Sequence, residues 1–216
     1  MTGESKALPP SKEGAPTRTF ASCGEPLPGY FAEIRNKAGD VLPDRHVGDI
    51  MIFGPSLMGG YYKQPEVTSQ CIGSDGWLNT GDMGYMVDGQ LYITGRSKDL
   101  IIVKGRNIWP QDLEWHIERE IEGLQGGHTA AFGHRTSSGE ETTVVLVQCR
   151  GDDPKKRKVL QKEVAAAVLR NAGIVCQVEL IPPRSLPFTT SGKLMRSKAK
   201  KNWLEGGYSQ QGVCNV

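Results

Sequence analysis

The sequence predicts an α+β chain, with a β-rich first half and a second half in which a short sheet is flanked by helices. Three observations point there. Glycines, 27 in all, and prolines cut residues 29–95 into short β-like runs. From residue 99 onward, strand-like runs alternate with amphipathic segments of helical length. An apolar fraction of 38% over 216 residues is enough for a packed core.

Taken in order, residues 1–21 are rich in Pro, Lys and Ser without periodicity and are expected to form a flexible leader. YFAEIRN (30–36) and DIMIFG (49–54) read as strands around the turn KAGD (37–40), and LMGGYY (57–62) reads as a further strand. Pro65 opens a short helix over about 66–72, and YMVDGQLYITG (85–95) is a hairpin turning at Asp88-Gly89. The charged stretch GRSKD (95–99) marks the boundary between domains 22–95 and 96–205. DLIIV (99–103) reads as a strand, and PQDLEWHIEREIE (110–122) as a helix with Leu113, Ile117 and Ile121 on one stripe. HTAAFG (128–133) and TTVVLVQC (142–149) are strands, 153–173 is a long helix stopped by Gly173, and IVCQVELI (174–181) is the last strand. Residues 206–216 are expected to form a flexible tail.

The totals exclude several classes. A net charge of +2 argues against a nucleic-acid-seeking protein, and neither an aromatic platform nor a recognition helix accompanies the basic runs KKRK (155–158) and KAKK (198–201). No apolar run is long enough to span a bilayer, and no signal-peptide core opens the chain, so the expected compartment is the cytoplasm. Cys23, Cys71, Cys149, Cys176 and Cys214 form no CxxC pair, which points to reduced, structural thiols. His46, His116, His128 and His134 lack ligand spacing, so no metal site is expected. Trp109 and Trp115 read as anchors of a small core.

Three stretches carry chemistry together: GDIMIFGPSLMGGYYKQPEVT (48–68), GWLNTGDMGYMVDGQLYITGRSKDLIIVKGRNIWPQDLE (76–114) and LPFTTSGKLMR (186–196). In this order they resemble the later motifs of the acyl-adenylate-forming enzymes, namely acyl-CoA synthetases, luciferases and the adenylation domains of peptide synthetases. The resemblance covers residues 22–205, and the segment from Gly95 to Glu114 resembles fatty acyl-AMP ligases in particular. It implies that 22–95 is the last β-rich subdomain, of distorted-barrel type, of a large adenylating domain, and that 96–205 is a mobile C-terminal domain. The implied activity joins an acid to AMP from ATP, releases pyrophosphate, and then passes the acyl group to a thiol.

Residue by residue, the resemblance assigns Lys193 to the acyl carboxylate and α-phosphate, where a compact cation can stabilise developing charge. On its own, the SGK turn would simply start the helix LMRSKAKKNWL with Ser191 as N-cap; in this series of motifs the catalytic role is favoured. Asp82 matches a carboxylate that accepts from both ribose hydroxyls, and Arg96 an arginine near ribose or phosphate. Lys98 stands at the hinge position. Gly105 is a candidate for the pantetheine channel, with a plain hairpin glycine as the open alternative. The implied acceptor is the phosphopantetheine arm of an acyl carrier protein, which the basic runs could steer; solvated helix faces are the other reading of those runs.

The pattern also departs from the family. Ile102 stands where some members carry a second functional lysine. No phosphate loop ending in Pro-Lys-Gly and no aromatic-Gly-x-x-Glu segment is present, so the surfaces for triphosphate, fatty acid and Mg2+ are expected in a body outside this chain. The chain is therefore expected to be incomplete as an enzyme, with a non-catalytic module that binds a carrier or partner chain, or part of an acyl-CoA synthetase, as the alternatives.

Overall fold

The computed structural model describes residues 6–8, 19–124 and 126–208. Most of the expected leader and tail, with Cys214, lie outside the described residues. The chain divides into two units, Met1–Lys98 and Asp99–Val216, and is of mixed α/β type, with four α-helices and three small sheets among the described residues.

In the first unit, β1 (Phe31–Arg35), β2 (Gly48–Phe53), β3 (Leu78–Val87) and β4 (Gln90–Arg96) form an antiparallel sheet in that order. The β3–β4 turn has positive φ at both Asp88 (49°) and Gly89 (78°), the pairing that a two-residue hairpin twisted with its strands requires. Ile34, Ile50 and Tyr85 are buried, and Tyr85 stacks on Tyr92 with centroids 5.0 Å apart. The strands approach closely at Gly84, where a Cβ would stand 2.3 Å from the Tyr92 carbonyl oxygen. LMGGYY is not a strand. Gly60 adopts φ 145°, and the Tyr61 amide donates to Thr68 Oγ1 (2.8 Å), so this segment folds onto α1 (Pro65–Cys71) instead of entering the sheet.

The second unit opens with a hairpin of β5 (Ile101–Val103) and β6 (Arg106–Ile108). The expected strand from 99 is shorter, because Ser97–Asp99 form a 3-10 turn. Next come α2 (Pro110–Glu120), β7 (Thr129–Arg135), β8 (Glu141–Gln148), α3 (Pro154–Ala172), β9 (Cys176–Ile181) and α4 (Arg196–Leu204). β7 pairs antiparallel with β8, while β9 returns parallel to β8 after the α3 crossover.

Both faces of this sheet are covered, as the nearly unbroken apolar run of β8 requires. Ala131, Val145, Val147, Val178 and Leu180 pack with α2 and α3, whereas Ala130, Phe132, Val144, Leu146 and Ile181 pack with Leu186, Ala199 and Tyr208. That split is the two-residue period of a strand. α3 begins at Pro154 with Asp153 capping the Lys155 amide (2.9 Å), and it ends at Gly173 with φ 65°. Leu113, Ile117 and Ile121 of the predicted stripe are buried. Trp115 is not a core anchor: it is 53% exposed, edge-on to His116 and under the Arg119 guanidinium. Two residues from both Leu113 and Ile117, it stands about 200° round the helix from each, which turns it outward. Burial pushes the Cys176 thiol up to about 12, which leaves it unreactive.

Candidate functional site

The Thr80-Gly81-Asp82 stretch is not a turn after a strand. It is a bulge within β3: the step from Asp49 to Met51 on β2 faces the longer step from Asn79 to Met83. The sequence builds it locally. Thr80 Oγ1 donates to the Ile50 carbonyl (2.9 Å) and accepts from the Asp82 amide (3.1 Å), while Asn79 Oδ1 accepts from the Gly81 amide (2.9 Å). Gly81 takes φ 75°, which an L side chain resists. Bulges re-aim side chains, and here the bulge presents Asp82 opposite Arg96 of β4, with Arg96 Nε 3.1 Å from Asp82 Oδ1. Two residues assigned separately from sequence therefore form one pair.

Lys98 is exposed and closes the first unit. In the second unit, Gly105 follows Lys104 at the tip of the β5–β6 hairpin, with φ 73° and 50° respectively. A Cβ at Gly105 would meet nothing within 4 Å, so within this unit the backbone angle alone accounts for glycine. Ile102 points outward at 49% exposure between the buried Ile101 and Val103.

Lys193 ends a turn held by its own backbone. The Thr189 amide donates to the Lys193 carbonyl (2.8 Å), the Gly192 amide to the Thr189 carbonyl (2.9 Å), and the Lys193 amide to Thr189 Oγ1 (3.0 Å). Gly192 supplies φ 78°, and Phe188 and Leu194 bridge across the base of the turn. Lys193 is exposed. Ser191 caps no helix: its hydroxyl lies 3.0 Å from Thr189 Oγ1, and α4 starts only at Arg196 behind Met195. The result is an exposed cationic side chain on a turn held by its own hydrogen bonds.

Sequence reasoning missed what lies beside that turn. Arg196 donates through Nε and Nη2 to the two oxygens of Glu114 (2.8 and 2.5 Å) and through Nη1 to Asp99 (3.3 Å). The buried Glu114 also accepts from the Ala131 amide (2.9 Å). Burial would lower the Arg196 pKa, yet the hydrogen bonds and charge of Glu114 and Asp99 hold it above its ordinary value. Glu114 did carry a signal, since it stands three residues before Ile117 and seven before Ile121, on the buried stripe.

Of the run 155–158, Lys155, Lys156 and Lys158 are exposed, but Arg157 is engaged with the Leu180 carbonyl (3.0 Å). Among the described residues, no group of three His, Cys, Asp or Glu could hold a metal ion, and no helix is long and apolar enough to cross a membrane.

No family model matches the chain. A Caulobacter vibrioides protein named as an acyl-CoA synthetase is 49% identical over 88% of this chain and 33% of its own length. A medium-chain fatty acid acyl-carrier-protein ligase of Moorena producens is 33% identical over 93% of this chain and 36% of its own. A solved structure from work on fatty acyl-adenylate ligases of E. coli and L. pneumophila superposes with a TM-score of 0.81 at 43% identity, covering 94% of this chain and 36% of its own. The chain thus spans about a third of the length of the curated relatives it matches.

Proposed function

Because this chain belongs to the acyl-adenylate-forming ligases, as a C-terminal part of that family, we propose that it supplies the ribose-side pair and the lysine-bearing mobile domain of a fatty acyl-AMP ligase. The observation that carries this reading is the ordered Thr189–Lys193 turn, which presents an exposed lysine that the second unit's packing does not use. In the reaction, a carboxylate oxygen attacks the α-phosphorus of ATP, the bond to the bridging oxygen breaks, and pyrophosphate leaves. Lys193 Nζ stabilises the charge that develops there. Asp82, oriented by Arg96, accepts from the ribose hydroxyls. Rotation at Lys98 then turns the second unit so that the Gly105 hairpin faces a pantetheine arm. A thiolate attacks the acyl carbonyl carbon, forming a thioester and releasing AMP.

In this reading residues 22–95 form one wall of a distorted barrel completed by the rest of the enzyme, 96–205 form the mobile domain, and the whole works in the cytoplasm. Mg2+ would arrive with ATP. The described residues offer it no cluster, and no step here is routed through it.

The acceptor we favour is an acyl carrier protein, supported by the Moorena producens relative and by exposed Lys155, Lys156 and Lys158 at the start of α3. The name of the Caulobacter relative favours coenzyme A instead. The two separate in a chimera in which this chain replaces the matching third of the solved fatty acyl-adenylate ligase. Acyl transfer to holo-carrier and to free coenzyme A is measured at low salt, with the 216-residue chain alone as blank. Charge reversal at the three lysines is expected to slow transfer to carrier roughly tenfold, with the loss fading at high salt. Faster transfer to coenzyme A, unchanged by the reversal, would replace the carrier reading, and no adenylation in the chimera would favour a non-catalytic binding module.

A further inference from the structure

Two ion-pair groups, one in each unit, converge on the residues flanking Lys98. In the first unit, Lys37 Nζ binds both oxygens of the buried Asp49 (2.7 and 2.9 Å) and also donates to Ser97 Oγ (3.3 Å). In the second, Arg196 binds both oxygens of Glu114 and reaches Asp99 Oδ2 (3.3 Å). Ser97, Lys98 and Asp99 form a single 3-10 turn, in which only the exposed Lys98 lies between the two held residues. Arg196 also stands three residues after Lys193, and the Met195 amide before it donates to the Pro187 carbonyl (2.9 Å).

We propose that Lys37–Asp49 and Arg196–Glu114 clamp Ser97 and Asp99 respectively, confining rotation to the Lys98 backbone, and that Arg196 is a positioning residue tying the hinge to the Lys193 turn. This deepens the reading of Lys98 as hinge and rests on it. The physical case is one of stiffness. A fork of guanidinium donors on two carboxylates fixes direction as well as distance, which a single ammonium cannot do. Without the Asp99 arm, rotation at Lys98 would spread into Asp99 and Leu100, and the second unit's Lys193 turn would follow the hinge less faithfully. Without the Ser97 contact, slack would enter on the other side and stop there.

The test is residue-resolved amide exchange by NMR on the 216-residue chain, which needs neither substrate nor activity. Arg196→Ala leaves the buried Glu114 carboxylate unpaired and can unfold the unit, so the informative variant is Asp99→Ala, with Asp99→Glu as the rescue. Asp99→Ala is expected to speed exchange of the bonded amides of Thr189, Gly192, Lys193 and Met195 roughly fivefold, the scale of one lost hydrogen bond. The central amides Val145–Val147 should stay unchanged, and Asp99→Glu should restore the turn. Ser97→Ala should speed only residues 96–98. Unchanged exchange over 189–195 in Asp99→Ala overturns the proposal, as does equal acceleration of Val145–Val147, which would mean plain destabilisation. The hinge reading itself is judged by half-reaction rates in the chimera, so the two can fail separately.

Discussion

Two glycines of this chain are required for opposite reasons, and substitution tells them apart. At Gly84 the backbone is ordinary but a Cβ would lie 2.3 Å from the Tyr92 carbonyl oxygen and 2.9 Å from Ile50 Cδ1. At Gly105 the space is open but φ is 73°. Gly84→Ala is therefore expected to cost about 1–3 kcal/mol by forcing β3 and β4 apart, and Gly105→Ala about 1 kcal/mol through backbone strain alone. Denaturant midpoints of the two variants check this, and a neutral Gly84→Ala would refute the tight β3–β4 approach. The bulge at Thr80-Gly81-Asp82 shows how far single residues can be read ahead. TGD was legible as a motif. Its pairing with Arg96 was not, because it depends on a register shift that no local pattern announces.

Among the elements, helices were easier to place than the strands of the first unit. α1, α2 and α3 each open with proline, and α3 closes on a left-handed glycine, signals that act within a few residues. LMGGYY failed for the converse reason: its apolar and aromatic residues read as a strand, while a positive φ at Gly60 and a hydrogen bond to Thr68 decided otherwise. The contact between α2 and α3 is tied by Glu120, which accepts from Arg170 Nη2 (2.7 Å) and Asn171 Nδ2 (2.7 Å). The Arg170 hydrogen bond, followed by that of Asn171, holds the Glu120 carboxyl below its ordinary value. A depressed carboxyl adds stability above the unfolded-state pKa, about 4.3 for Glu, and that increment disappears as pH falls through the lower folded value. Stability measured from pH 6 to pH 3 should therefore fall more steeply in the wild type than in Glu120→Gln. The difference should stay below about 1 kcal/mol for so exposed a tie; parallel profiles would show that the tie contributes nothing.

At the scale of the whole molecule, the two units differ in how they are built. The second encloses a sheet between helices on both faces, while the first leaves Phe31 and Phe53 of its sheet 57% and 41% exposed, with Trp77 beside them. The division into a β-rich first half and an α+β second half was visible in the sequence because the hydrophobic period changes along the chain. The Arg196–Glu114 pair was not, since its partners stand 82 residues apart and meet only once the second unit has folded. The central claim, that Lys193 serves adenylation, is tested most directly by following the two half-reactions separately in the chimera carrying Lys193→Ala. Pyrophosphate exchange into ATP with fatty acid should fall about 10²-fold to 10³-fold, while capture by the thiol of separately supplied acyl-AMP stays near the unsubstituted rate. Equal losses in both half-reactions, or undiminished exchange, would contradict it.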